Sequence, residues 1–186
     1  LARSGGGGNV LDPTLASGTF DVLGGLRGAV DDGGAGRGCA DRATPENDCL
    51  VINNTDTAGF DAYNRDNVAG ITNVDATANT ITYAAGAAPA FPAHSPSQRF
   101  QVFDTVVSYV CQDGGIDRFA GYGLNTNQQN PPSGTPDLLA GDVAACDFRY
   151  TSGAGERHGL VTIDITIRRD GETVRLVDQA HVVNVP

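Results

Sequence analysis

The sequence predicts a mainly β fold: an antiparallel sheet joined by long loops. Apolar and polar residues alternate over short runs, most clearly where Val161, Ile163, Ile165 and Ile167 interleave with Thr162, Asp164, Thr166 and Arg168. Alternation of that period puts every second side chain on one face of a strand. Twenty-five Gly and nine Pro punctuate the 186 residues, which suits short strands and frequent turns. No heptad, internal repeat or long amphipathic helix competes with this pattern.

Taken in order, residues 1–18 are Gly-rich and irregular. Residues 19–26 (TFDVLGGL) read as a strand with Phe20 and Val22 on one face. Residues 27–48 are a polar loop, and CLVINN (49–54) is a second strand followed by an Asn/Asp-rich connection through Asn67. NTITYAAG (79–86) alternates as a strand should, and APAFPAHSPS (88–97) is a proline-broken loop.

The densest apolar run spans 99–123. Phe100, Val102, Val106 and Val110 share one parity, and Phe103, Val107 and Tyr109 the other. Apolar residues on both faces predict an interior strand, or two strands bent near Asp104. Asp113-Gly114-Gly115 is a hairpin turn into IDRFAGYG. The segment 125–136 is a surface loop, 137–144 is one helical turn or two, and 145–152 alternates as a strand. The last hairpin turns at Asp170-Gly171. Its outgoing strand carries Val161, Ile163, Ile165 and Ile167 toward a core. On its return strand Val174 and Leu176 point inward while Val177, Val183 and Val185 have the other parity, which predicts a β-bulge near Val177–Gln179.

The length suits one domain covering residues 1–186. The net charge of -10 combines 22 acids with 12 bases, all of them Arg. A chain with that balance offers no basic face for nucleic acid or for an anionic membrane surface. No apolar stretch reaches the ~18 residues a membrane-spanning helix needs. The chain opens without Met on LARSGGGG, which reads as a processed, truncated or incomplete start.

Four cysteines, Cys39, Cys49, Cys111 and Cys146, contain no closely spaced pair, which disfavours zinc. An even count favours two disulfides and an oxidising compartment, with every connectivity open on sequence alone. A Cys39–Cys49 bridge would close the polar loop.

Catalytic patterns are weak. GAGRG (34–38) and GAGERHG (153–159) do not sit between a strand and a helix, so turn glycines explain them better than dinucleotide binding. His94, His158 and His181 are scattered, and no GxSxG elbow exists. Calcium is the one metal worth naming, because oxygen-rich loops suit it. Asp31, Asp32, Asp41 and Asp48, with Asp56 and Asp61, are the weak candidates, although neither group has EF-hand spacing. Asn53-Asn54-Thr55 matches the short glycosylation pattern.

Four segments carry a family likeness: FDVLG (20–24), SPSQRFQVFDTVVSYVC (95–111), CDFRYTSG with GLVTIDITI (146–153 and 159–167), and GETVRLVDQAHVVNVP (171–186). They resemble the soluble region of minor pilins, in particular the O-type biogenesis proteins of mannose-sensitive haemagglutinin (MSHA) type IV pili. The resemblance implies an α+β pilin-type head domain whose N-terminal helix is missing from this chain. It implies a non-enzymatic subunit, with no cofactor, that helps initiate or cap a pilus at or near the tip. Its partners would be other minor pilins and the major pilin, and it would touch the inner membrane only through the missing helix. It would face the periplasm before assembly and the outside of the cell afterwards. The resemblance also implies that Cys111 pairs with Cys146, which leaves Cys39 for Cys49. Without the helix, Val161, Ile163, Ile165 and Ile167 would form an uncovered contact surface. Two rivals share the fold or the surface: a J-type minor pseudopilin of type II secretion, and a secreted adhesive module binding sugar or calcium through its acidic loops.

Overall fold

The computed structural model describes residues 9–24, 48–55, 58–86, 88–124, 126–151 and 158–183. The described residues form eleven strands and no helix, and every strand pairing is antiparallel. The mainly β expectation is therefore met. None of the described residues belongs to a helix long and apolar enough to cross a membrane. The chain divides into two compact units, one running to Val106 with residues 123–127, the other built from 107–122 and 128–185.

The first unit holds a five-stranded sheet in the order β1-β4-β3-β2-β5. Its strands are β1 (Ser17–Asp21), β2 (Cys49–Val51), β3 (Val68–Asp75), β4 (Thr80–Ala84) and β5 (Gln101–Phe103). Phe20, Leu50, Ile52, Ile71, Ile81, Tyr83 and Phe91 are all but fully buried and make one core. Each such side chain contributes about 1.5–3 kcal/mol on leaving water. Phe20 meets Phe100 edge to face at 5.2 Å between ring centres, and Tyr83 resolves its buried hydroxyl by donating to the Asp12 carbonyl at 2.6 Å. The predicted pairing of Phe20 and Val22 on one inward face holds.

β3 was not expected, because residues 68–75 follow an Asn-rich connection and contain Gly70 and Asn73. The strand forms because it lies between β2 and β4, where its first four residues are buried. Asn67 delivers the chain into it: its side-chain amide donates to the Ile52 carbonyl at 2.8 Å, and the Ile52 N–H returns a bond to the Asn67 carbonyl at 3.3 Å. The β3–β4 turn is held by Asp75, whose Oδ1 accepts from the Thr77 and Ala78 N–H groups at 2.8 Å each. Asn79 then clamps the end of β1 by donating to the Val22 and Gly24 carbonyls.

The second unit has two three-stranded sheets, β6-β7-β8 and β9-β10-β11. They comprise β6 (Val107–Gln112), β7 (Gly115–Ala120), β8 (Asp137–Ala140), β9 (Val143–Thr151), β10 (His158–Arg169) and β11 (Glu172–Val183). The long apolar run does break near Asp104, into β5 and β6. Both pieces are edge strands of different sheets, so the interior reading is corrected. The break falls between the two units, with β5 in the first and β6 in the second.

Residues 137–144 are not helical. β8 pairs with β7, with Asp137 opposite Arg118 and an ion pair between them at 3.6 Å, while Leu138 and Leu139 stay exposed. A short apolar run fits helix or strand equally, and the unpaired edge of β7 decided it. The bulge expected near Val177–Gln179 is also absent: β10 and β11 pair without a shift from His158–Val183 to Arg169–Glu172. Val177 simply points to the other face and is exposed, so no switch of parity was required. The register shift falls instead between β9 and β10, at Thr166/Ile167.

Candidate functional site

The β9-β10-β11 sheet has two faces of opposite chemistry, and the register sorts them. Directly opposed residues share a face. One face carries the rows Tyr150–Val161–Ala180, Phe148–Ile163–Asp178, Cys146–Ile165–Leu176 and Val143–Ile167–Val174. The other carries Arg149–Thr162–Gln179, Asp147–Asp164–Val177 and Ala145–Thr166–Arg175. Strict alternation along β10 produces this split, as the sequence predicts.

The apolar face is not a core. Val161, Ile163, Ile165 and Ile167 are only half-buried, although they occupy the central strand. Around them Phe148, Tyr150, Val174 and Leu176 are exposed by 37%, 55%, 55% and 52%. Together these side chains make a contiguous, partly exposed apolar surface. The described residues leave it open.

Tyr150 lies over Gly159 so closely that a Cβ at Gly159 would collide with its ring. The glycine lets the aromatic ring lie flat against the sheet, and the ring in turn covers backbone that has no side chain of its own.

On the polar face, Arg175 grips Asp164 with two bonds, from Nε at 2.9 Å and Nη2 at 2.5 Å. Those bonds, helped by the charges of Arg175 and Arg149, hold the Asp164 carboxyl below the usual carboxylate range. Asp147 opposes Asp164 directly but is paired with Arg149 at 2.6 Å, so the two acids are kept apart electrically. This face is charged and self-satisfied.

The Cys111–Cys146 disulfide joins β6 to β9 and meets the expectation for that pair. Cys49 is also disulfide-bonded, and it is buried. Its expected partner Cys39 lies outside the described residues, as do the calcium candidates Asp31, Asp32, Asp41 and Asp56. Asp48 is buried. Asp61 uses both oxygens to accept from the Tyr63 N–H at 2.8 Å and the Asn64 amide at 3.0 Å, the work of a turn-forming side chain. Among the described residues no three His, Cys, Asp or Glu side chains come close enough to hold a metal.

One feature escaped the sequence reading. The amide-rich stretch Gln128-Gln129-Asn130, read as plain loop, lies along β6 and walls a cleft there. The clustered amides were visible in the sequence, but their strand partner was not.

No known protein family, curated protein or solved structure matches this chain.

Proposed function

We propose that this chain is the head domain of a minor pilin, a non-enzymatic subunit that packs laterally on other minor pilins and on the major pilin. The pilus would be of the MSHA-like type IV kind, with this subunit acting at or near the tip to start or cap assembly. The carrying observation is the half-exposed apolar face of the β9-β10-β11 sheet, centred on Ile163 and Ile165. A pilin head domain needs such a face, because its sheet packs on a long helix supplied from the N-terminal side. The final hairpin then has a physical purpose without chemistry: it supplies two of the three strands of that face. The same face would serve a J-type pseudopilin of type II secretion, and the neighbouring genes separate the two machines.

The test is intact-mass and N-terminal analysis of the native chain from its own cells. The expected result is a methylated first residue opening an apolar stretch of ~20–25 residues ahead of Leu1, long enough to span a bilayer. A start just after a secretory cleavage site, with no such stretch, would overturn the reading.

A further inference from the structure

The second unit carries a cleft of about 310 Å³ beside β6, lined by Ser108, Tyr109 and Val110 of the strand and by Gln128, Gln129, Asn130 and Pro132 of the loop. Successive side chains of a strand point to opposite faces, so a cleft touching three in a row runs along the strand's edge. β7 occupies one edge of β6, and the cleft therefore lies on the other, unpaired one.

Its wall is organised before any ligand arrives. The Gln128 side-chain amide donates to Ser108 Oγ at 2.6 Å and to Tyr122 Oη at 3.3 Å, and those two hydroxyls are 2.6 Å apart. This network ties the loop to the strand. Gln129 and Asn130, next in sequence, are exposed, and their side-chain amides have no hydrogen-bond partner among the described residues. Tyr109 presents a ring that is 53% exposed.

The chemistry of the lining selects a ligand class. No charged side chain lines the cleft. Arg118, which opposes Tyr109 in the register, is already paired with Asp137. An ion would therefore lose its hydration without gaining a counter-charge. A purely apolar ligand would make no use of the amides, which water already serves. What remains is a neutral molecule with one apolar face and a rim of hydroxyls. A planar amide offers donor and acceptor side by side, which matches two neighbouring hydroxyls, and an aromatic face suits the C–H surface of a sugar ring. The volume lies at the small end of the ~300–1,000 Å³ range for ligand sites, so it accommodates one or two sugar rings.

We propose that this cleft binds a neutral pyranose unit, with Tyr109 stacked against its C–H face and Gln129 and Asn130 hydrogen-bonded to its hydroxyls. Ser108, Tyr122 and Gln128 are positioning residues that hold the loop in place. The proposal does not depend on the pilin reading.

Saturation-transfer NMR on the full chain tests it, using methyl α-D-glucopyranoside, methyl β-D-galactopyranoside and N-acetylglucosamine at tens of millimolar. At least one of the three is expected to receive saturation with a millimolar Kd. Tyr109→Ala should weaken that binding by about tenfold, equivalent to one stacked ring, while Tyr109→Phe retains it. A Gln129→Ala, Asn130→Ala double variant should lose binding as well, with the melting temperature unchanged because both residues are exposed. Tyr150→Ala, on the other sheet, should bind normally. Absence of saturation for all three sugars would overturn the proposal. So would binding that Tyr109→Ala and the amide double variant leave intact.

Discussion

Two residue-scale features make sharp predictions. At Gly159 the ring of Tyr150 occupies the place that a Cβ would take. Gly159→Ala should make the Tyr150 ring swing aside and, because that ring is 55% exposed, should cost no more than about 1 kcal/mol in urea denaturation. Placing the same change on a Tyr150→Ala background should remove most of that cost, because the collision has gone. Asp164 gives a pH signature. Its folded-state pKa lies below the ordinary value because Arg175 donates two bonds to it. The stability it adds is thus fully present above the ordinary carboxylate value of ~3.9, and it is lost as pH falls through the depressed folded value. Melting temperature followed from pH 5 downward (about one unit above that ordinary value) should fall more steeply for the parent chain than for Asp164→Asn. Equal slopes would show that the pair contributes nothing to stability in solution. Neither feature could be read from sequence: both depend on which residues the register sets side by side.

At the scale of elements, the C-terminal hairpin was the most legible part of the chain. Asp170 and Gly171 have φ of 51° and 86°, the left-handed pair that a two-residue hairpin turn requires, and the Asp-Gly dipeptide announces it. Alternation along β10 then determined which residues share a face. β11 was less legible, because its apolar residues occur at both parities. A bulge is one way to reconcile them, and exposing Val177 is the other. The strand takes the second, since an unbroken ladder of backbone bonds outweighs one exposed valine. The two faces of this sheet make opposite predictions for assembly. Under the minor-pilin proposal, Ile165→Arg should abolish filament formation in the source cells while the isolated chain still folds. Thr166→Arg, one residue on and facing the charged side, should assemble as the parent does. Equal assembly by the two variants, counted by electron microscopy, would exclude the apolar face as the contact surface.

Over the whole molecule, burial is divided unevenly between the two units. The first has the buried core around Phe20, Ile71 and Tyr83, and the second has long strands with an open apolar face. Truncation should register that division. Ile71→Ala removes a fully buried side chain and should cost ~2–5 kcal/mol. Ile165→Ala, from a half-buried site, should cost distinctly less in the isolated chain, as guanidinium titrations would reveal. A loss at Ile165 as large as that at Ile71 would mean that the face is covered in solution. By itself the sequence determined that the chain is β-rich, where the Asp-Gly turns fall, and which side chains alternate along the last hairpin. These are local properties, dictated by backbone sterics and by a two-residue period. Only the tertiary structure decided that residues 68–75 form a buried strand, that 137–140 extend an edge instead of coiling, and that the amides of Gln128, Gln129 and Asn130 meet Tyr109 across a cleft. Each of those outcomes depends on a neighbour far away along the chain: β2 and β4 bury β3, β7 offers β8 its open edge, and Ser108 anchors the amide loop. Local sequence encodes which conformations a segment tolerates, and long-range pairing selects among them by burial and by satisfied backbone bonds.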